Sequence, residues 1–155
     1  MSVTTAMTTS FKRELLQGLH DLDGHTLKLA LIKSGESGTF GAASTNFSNI
    51  TDTSDEASGT AYSSGGATLG SVAITLDGTT AIVDFADVSF SNSTISASGA
   101  MIYNTSASNR AIAVISFGGT VASTAGTFTV TMPAADASNA IIRVAKVWLL
   151  KYMTE

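Results

Sequence analysis

Two histidines and a few carboxylates are the residues of this chain best equipped to act on a ligand. Both histidines fall in one segment, His20-Asp21-Leu22-Asp23-Gly24-His25. Imidazoles and carboxylates that close together could hold a metal ion, or could pair as a base with its orienting acid. The segment also joins a helical pattern to a strand pattern, where Asp and Gly serve turn geometry. Its Asp-x-Asp-Gly resembles a fragment of a calcium loop, but the Gly and Glu that such a loop needs further on are missing. It therefore reads as a turn. Asp84 and Asp87 are the next pair. A glycosidase aims two carboxylates, about 5–10 Å apart, at one bond. Strand alternation sends these two to opposite faces, and one of them is expected to bond a neighbouring backbone group or hydroxyl. Gly35-Glu36-Ser37-Gly38 stops short of a nucleophile elbow because Thr39 stands where the last Gly belongs. Ser63-Ser64-Gly65-Gly66 lacks the Lys-Ser/Thr of a phosphate loop and reads as a strand-entry turn that uses positive φ. With no Cys in the chain, thiolate chemistry and disulfides are excluded. The expectation is a protein that is not an enzyme, with no catalytic residues, no cofactor and no bound metal.

The composition describes the surface such a chain must have. Of 155 residues, 43 are Ser or Thr, 14 are Gly and one is Pro. Charged residues make up 13% and hydrophobic residues 44%, so there is material for a core but little for surface ion pairs. The solvent face is expected to consist of hydroxyls. A net charge of −4 and scattered Lys and Arg predict no nucleic-acid partner. No apolar run approaches the ~20 residues of a membrane span, so no membrane partner is expected. Met1–Ser10 shows no apolar stretch of the signal-peptide type.

The elements follow from periodicity. Phe11–Leu19 is predicted as the one helix, capped by Ser10, with Phe11, Leu15, Leu16 and Leu19 on its inner face. Thr26–Lys33 is predicted as a strand near a sheet edge. Residues 34–61, with the acidic cluster Asp52, Asp55 and Glu56, read as a long surface loop carrying one short strand near Phe47–Ile50. Ala67–Leu76 and Thr80–Phe90 are predicted strands joined at Asp77-Gly78. Ala97–Asn104, Ala111–Phe117 and Gly126–Met132 follow, separated by turns at Ser91–Thr94, Thr105–Asn109 and Gly118–Ala125. Ala140–Met153 is read as a strand in preference to a helix. Phe85, Ile102, Ile115, Phe117, Phe128 and Val130 are the expected core. The pattern is mainly β: an antiparallel β-sandwich, or a related barrel, with one short N-terminal α-helix. Residues 1–10 form a flexible arm, 11–144 a single domain, and 145–155 an extension or last strand.

Several stretches resemble a family of small structural proteins of tailed bacteriophages. They are Phe11-Lys12-Arg13-Glu14-Leu15-Leu16-Gln17-Gly18, Leu27–Ile32, Gly59–Leu69, Val83–Phe90, Ser98–Asn104 and Gly126–Val130, and together they extend over about residues 11–144. The resemblance implies a non-enzymatic virion protein, made in the host bacterial cytoplasm and placed on the capsid surface. It would be a decoration, or cement, protein that binds the major capsid protein and itself, as a symmetric homo-oligomer such as a trimer. A tail or fibre component is the alternative within the virion. A carbohydrate-binding β-sandwich is disfavoured by the single Trp and three Tyr. Candidate interface residues are Trp148, Leu149, Leu150 and Tyr152 near the end, with Phe40 and Phe47 in the long loop.

Overall fold

The computed structural model describes residues 2–145. Where a loose arm is expected, the chain lays down two short strands, Ser2–Val3 (β1) and Ala6–Met7 (β2). β1 pairs in parallel with Thr39–Phe40 and β2 pairs antiparallel with Val114 and Ala113. The helix α1 spans Thr9–Leu16 and is capped by Thr8, not Ser10: the Thr8 hydroxyl accepts from the Phe11 amide at 3.2 Å. Gly18, at φ 70°, ends it in a Schellman turn, with Gly18 N–H on the Leu15 carbonyl and Leu19 N–H on that of Glu14. Helical spacing turns Phe11, Glu14 and Leu15 inward. Leu16 and Leu19, expected on that face, lie outside it, Leu16 at 91% exposure.

The remaining elements are β3 (Leu27–Lys33), β4 (Thr39–Phe40), a one-turn helix α2 (Ser48–Thr51), β5 (Ala67–Thr68), β6 (Ala73–Asp77), β7 (Thr80–Asp84), β8 (Val88–Asn104), β9 (Arg110–Val130) and β10 (Ile142–Val144). The strand expected near Phe47–Ile50 is instead α2. Asn49 accepts the amides of Thr45 and Asn46, and Asn46 accepts that of Ser48, which are local bonds that hold a turn and compete with a ladder. A five-stranded antiparallel sheet has the order β2-β9-β8-β3-β5, and a three-stranded antiparallel sheet has the order β10-β7-β6. β3 therefore lies one short strand from an edge. Thr80–Phe90, expected as one strand, changes sheets at Phe85–Asp87, and Ala67–Leu76 is likewise divided between β5 and β6. Asp77 pairs with Thr80, closing the β6–β7 hairpin over Gly78-Thr79.

β8 and β9 form one long ribbon. Thr105–Asn109 is a turn as expected, but Ser91–Thr94 and Gly118–Ala125 lie inside the ribbon as bulges. Asn92, Gly118 and Ala125 take positive φ there, and between the pairs Ala97↔Val121 and Gly99↔Ser116 four residues of β9 stand against one of β8. Bulges sharpen a strand's bend. Phe90 faces Phe128 and Gly99 faces Ser116, a distance of about 30 Å along a straight strand. Yet the Phe117 and Phe128 rings are 6.1 Å apart, so the ribbon turns back on itself.

Strand accounts for 48% of the described residues and helix for 10%. The two antiparallel sheets share one core in a sandwich-like arrangement, with no closed barrel among the described residues. The main cluster joins Phe11, Leu27, Leu29 and Leu31 to Val83, Phe85, Phe90, Ile102, Phe128, Val130 and Ile142. A second cluster of Ile32, Phe40, Ile50, Met101, Ala111 and Val114 lies under the 34–61 segment, so the large sheet is buried on both faces. That double burial explains why β3 is apolar nearly throughout. Ile115 and Phe117, expected in the core, are only partly buried, because they stand where β9 leaves the core before the largely exposed stretch Gly118–Thr127.

Candidate interaction surface

The histidine segment folds as a turn, with the Gly24 amide donating to Asp21. The structure also joins its histidines to residues that sequence reasoning did not single out. His20 is buried; its Nε2 lies 3.1 Å from Glu14 and its Nδ1 lies 3.0 Å from the Asn104 side-chain amide, which also reaches His25 Nδ1 at 3.0 Å. Arg110 donates to the other Glu14 oxygen. Both His20 nitrogens are thus engaged, and no Ser or Thr hydroxyl bonds either of them. The network ties α1 to the β8–β9 turn. Burial alone would raise the Glu14 pKa, but the bonds from His20 and Arg110 outweigh it and hold the carboxyl below its ordinary value. The periodicity of α1 does place Glu14 on the face of Phe11, and that was the available signal.

The acidic cluster divides in the same way. Asp52 is exposed, whereas Asp55 is fully buried. Asp55 accepts from the amides of Ser37 and Gly38 at 2.9 and 2.7 Å and from the Lys33 ammonium at 3.1 Å. Burial opposes its ionisation, and these donors more than offset that, keeping the carboxyl well below the usual range. Glu56 accepts from Tyr62, Ser64 and the Gly65 amide. Tyr103 donates to the Gly65 carbonyl at 2.7 Å, its own pKa pushed up to about 12 by burial and by the Glu56 charge. Gly66 (φ 72°) passes so near β3 that a Cβ would lie 1.9 Å from the Leu29 carbonyl oxygen, which fits the positive-φ reading of this glycine pair. Asp87 accepts the Met132 amide at 2.8 Å, a backbone bond of the kind expected for one of the Asp84/Asp87 pair. Among the described residues, no three His, Asp or Glu side chains gather as a metal site would require.

Of the interface residues expected from sequence, Phe40 is 2% exposed inside the second cluster and has no free face for a partner. Phe47 is half-buried and stacks on Tyr103 with ring centroids 4.4 Å apart. Both belong to the chain's own packing. Trp148, Leu149, Leu150 and Tyr152 lie outside the described residues.

The apolar surface that is open lies elsewhere. In the three-stranded sheet the rows Ile74–Val83–Ile142 and Leu76–Ala81–Val144 share one face. The first row enters the core through Val83 and Ile142. The second leaves Leu76 and Val144 at 76% and 52% exposure, with Ile74 at 49%. This face looks across a groove at Leu15, Leu22, Asp21 and Asp23. Next to it, Leu16, Val144 and Ala145 line a second depression with Lys12. Every residue of β6 is exposed, and among the described residues β6 is the outer strand of its sheet. No Lys, Arg or Pro guards this edge, though natural sheets commonly use such residues to block pairing. The hydroxyls expected on the surface line the ribbon, where Ser89 meets Thr129 at 2.9 Å, whereas Ser93, which meets Ser123 at 2.7 Å, is buried. All three ion pairs among the described residues have a buried acid.

No family model matches this chain, and neither does any curated protein or solved structure.

Proposed function

We propose that this chain is a non-enzymatic structural protein of a tailed-bacteriophage virion, a capsid decoration protein that binds the major capsid protein and further copies of itself. One observation carries the assembly part of this reading: the open apolar face of Ile74, Leu76 and Val144 on a sheet whose outer described strand has no Lys, Arg or Pro. A monomer gains nothing by keeping Leu76 in water, whereas an assembly protein buries it. Two further features support the reading. The titratable clusters spend their hydrogen bonds on holding loops together. The ribbon also gives a broad surface of hydroxyls and backbone, which suits wide, weakly charged contacts repeated over a lattice. The placement on a capsid comes from the resemblance of residues 11–144 to phage structural proteins.

The test is co-sedimentation of the purified chain with undecorated shells and, separately, with isolated tails from the phage that encodes it. Saturable binding to shells is expected. Binding to tails alone would transfer the chain to the tail, and binding to neither would reject the virion reading.

A further inference from the structure

The described chain ends on the rim of the groove beside the three-stranded sheet, and it continues with Lys146-Val147-Trp148-Leu149-Leu150-Lys151-Tyr152-Met153-Thr154-Glu155. We propose that this groove is an interface between copies of the chain, and that residues 146–155 of one copy seat on the Ile74–Leu76–Val144 face of another. The inference rests on the reading of the chain as an assembly protein and names the surface involved.

Register supplies the first reason. Ile142 faces Val83 and Val144 faces Ala81, so a strand continuing β10 meets Thr80 at residue 145. β7 begins at Thr80, so this sheet offers a continuing strand no partner on β7 beyond residue 145. Residues 145–155 contain no Gly, Pro, Asn, Asp or Ser, the residues that make tight reversals, and the proposal therefore seats them on another copy. Ten extended residues span about 35 Å, enough to cross a neighbouring molecule's groove.

Charge and apolar character supply the second. Val147, Trp148, Leu149 and Leu150 are flanked by Lys146 and Lys151. The groove offers Ile74, Leu15, Leu22 and Val144 with Asp21 and Asp23 at its side, and both carboxylates belong to exposed residues. An apolar segment with a Lys at each end therefore matches an apolar groove bordered by acids. Trp148 is the anchor, since a Trp buries much area with few rotors.

The full chain is examined by sedimentation velocity over a concentration series, together with Leu76→Lys, Trp148→Ala and the control Val121→Lys, whose exposed apolar residue lies on the ribbon. The full chain and the control are expected to associate. Leu76→Lys and Trp148→Ala should each weaken association at least about tenfold while keeping the parent's thermal midpoint. Mixing these two variants should restore a mixed species, because each retains the surface the other lacks. A full chain that stays monomeric throughout overturns the proposal, as does undiminished association of either variant or failure of the mixture to associate. Shell binding by a chain that remains monomeric would defeat the interface while leaving the capsid reading intact. Association without shell or tail binding would do the reverse.

Discussion

Glu14 and Asp55 show how far a residue's role depends on where the chain takes it. Both are ordinary in sequence, and both become buried carboxylates held ionised by donors. A carboxyl with a lowered folded-state pKa leaves the unfolded chain to bind the proton first. It therefore stabilises the fold above the ordinary values of 4.5 and 3.8, and that contribution is lost as pH falls below them. The thermal midpoint is accordingly expected to decline below about pH 4.5, less steeply in Glu14→Gln and Asp55→Asn. At neutral pH, Asp55→Asn should cost about 2–4 kcal/mol, because an amide NH₂ replaces an acceptor that faces two backbone donors and Lys33. Equal acid profiles for parent and variants would refute the role given to these carboxylates. The importance of Asp55 could not be read from the sequence, since Asp52, Asp55 and Glu56 look alike in a loop rich in Ser and Thr. Only contact with Ser37 and Gly38, 17–18 residues away, separates them.

Glycine positions test the elements. Gly66 and Gly78 both have positive φ, but only Gly66 meets backbone where a Cβ would stand; nothing lies within 4 Å of that position at Gly78. Gly78→Ala should therefore cost about 1–2 kcal/mol for the left-handed conformation alone. Gly66→Ala should cost clearly more, since β3 or the 63–66 turn must move; denaturant midpoints would decide it. Phe128→Ala, at a residue 3% exposed, should cost about 3–5 kcal/mol, and more than Phe117→Ala at its half-buried partner. The hairpin at Asp77-Gly78, strand β3 and the turn after Asn104 were legible because each carries its own local signal. The bulges at Asn92 and Gly118–Ala125 read as turns because the same Gly, Ser and Asn residues serve both purposes. Whether such a cluster reverses the chain or bends it depends on the partner strand, which lies elsewhere in the sequence.

On the scale of the whole molecule, the β8–β9 ribbon links the two packings. It lies at the centre of the five-stranded sheet and, through Phe90, Phe128 and Val130, in the core shared with the three-stranded sheet. Neither sheet buries its apolar face alone, so one cooperative transition is expected, with coincident midpoints by calorimetry and far-ultraviolet dichroism. Two separated transitions would show that the sheets fold independently. On the proposed reading, deleting residues 146–155 is expected to impair assembly on the virion more than folding. Comparing thermal unfolding and shell binding of the shortened and full-length chains tests this.

By itself the sequence determined the mainly β character, the single N-terminal helix of useful length, the hydroxyl-rich composition of the surface and the core positions Phe85, Ile102, Phe128 and Val130. These follow from periodicity and composition, which act within a few residues. The tertiary structure decided what depends on residues far apart in the chain. It paired the N-terminal lead into two sheets. It turned Phe40 from a candidate contact into core by covering the large sheet's second face. It gave Glu14 and His20 to Asn104 and Arg110, and it left Leu76 and Val144 in the open. The physical reason is that alternation names the face on which a side chain stands, while the element packed against that face decides whether it is buried.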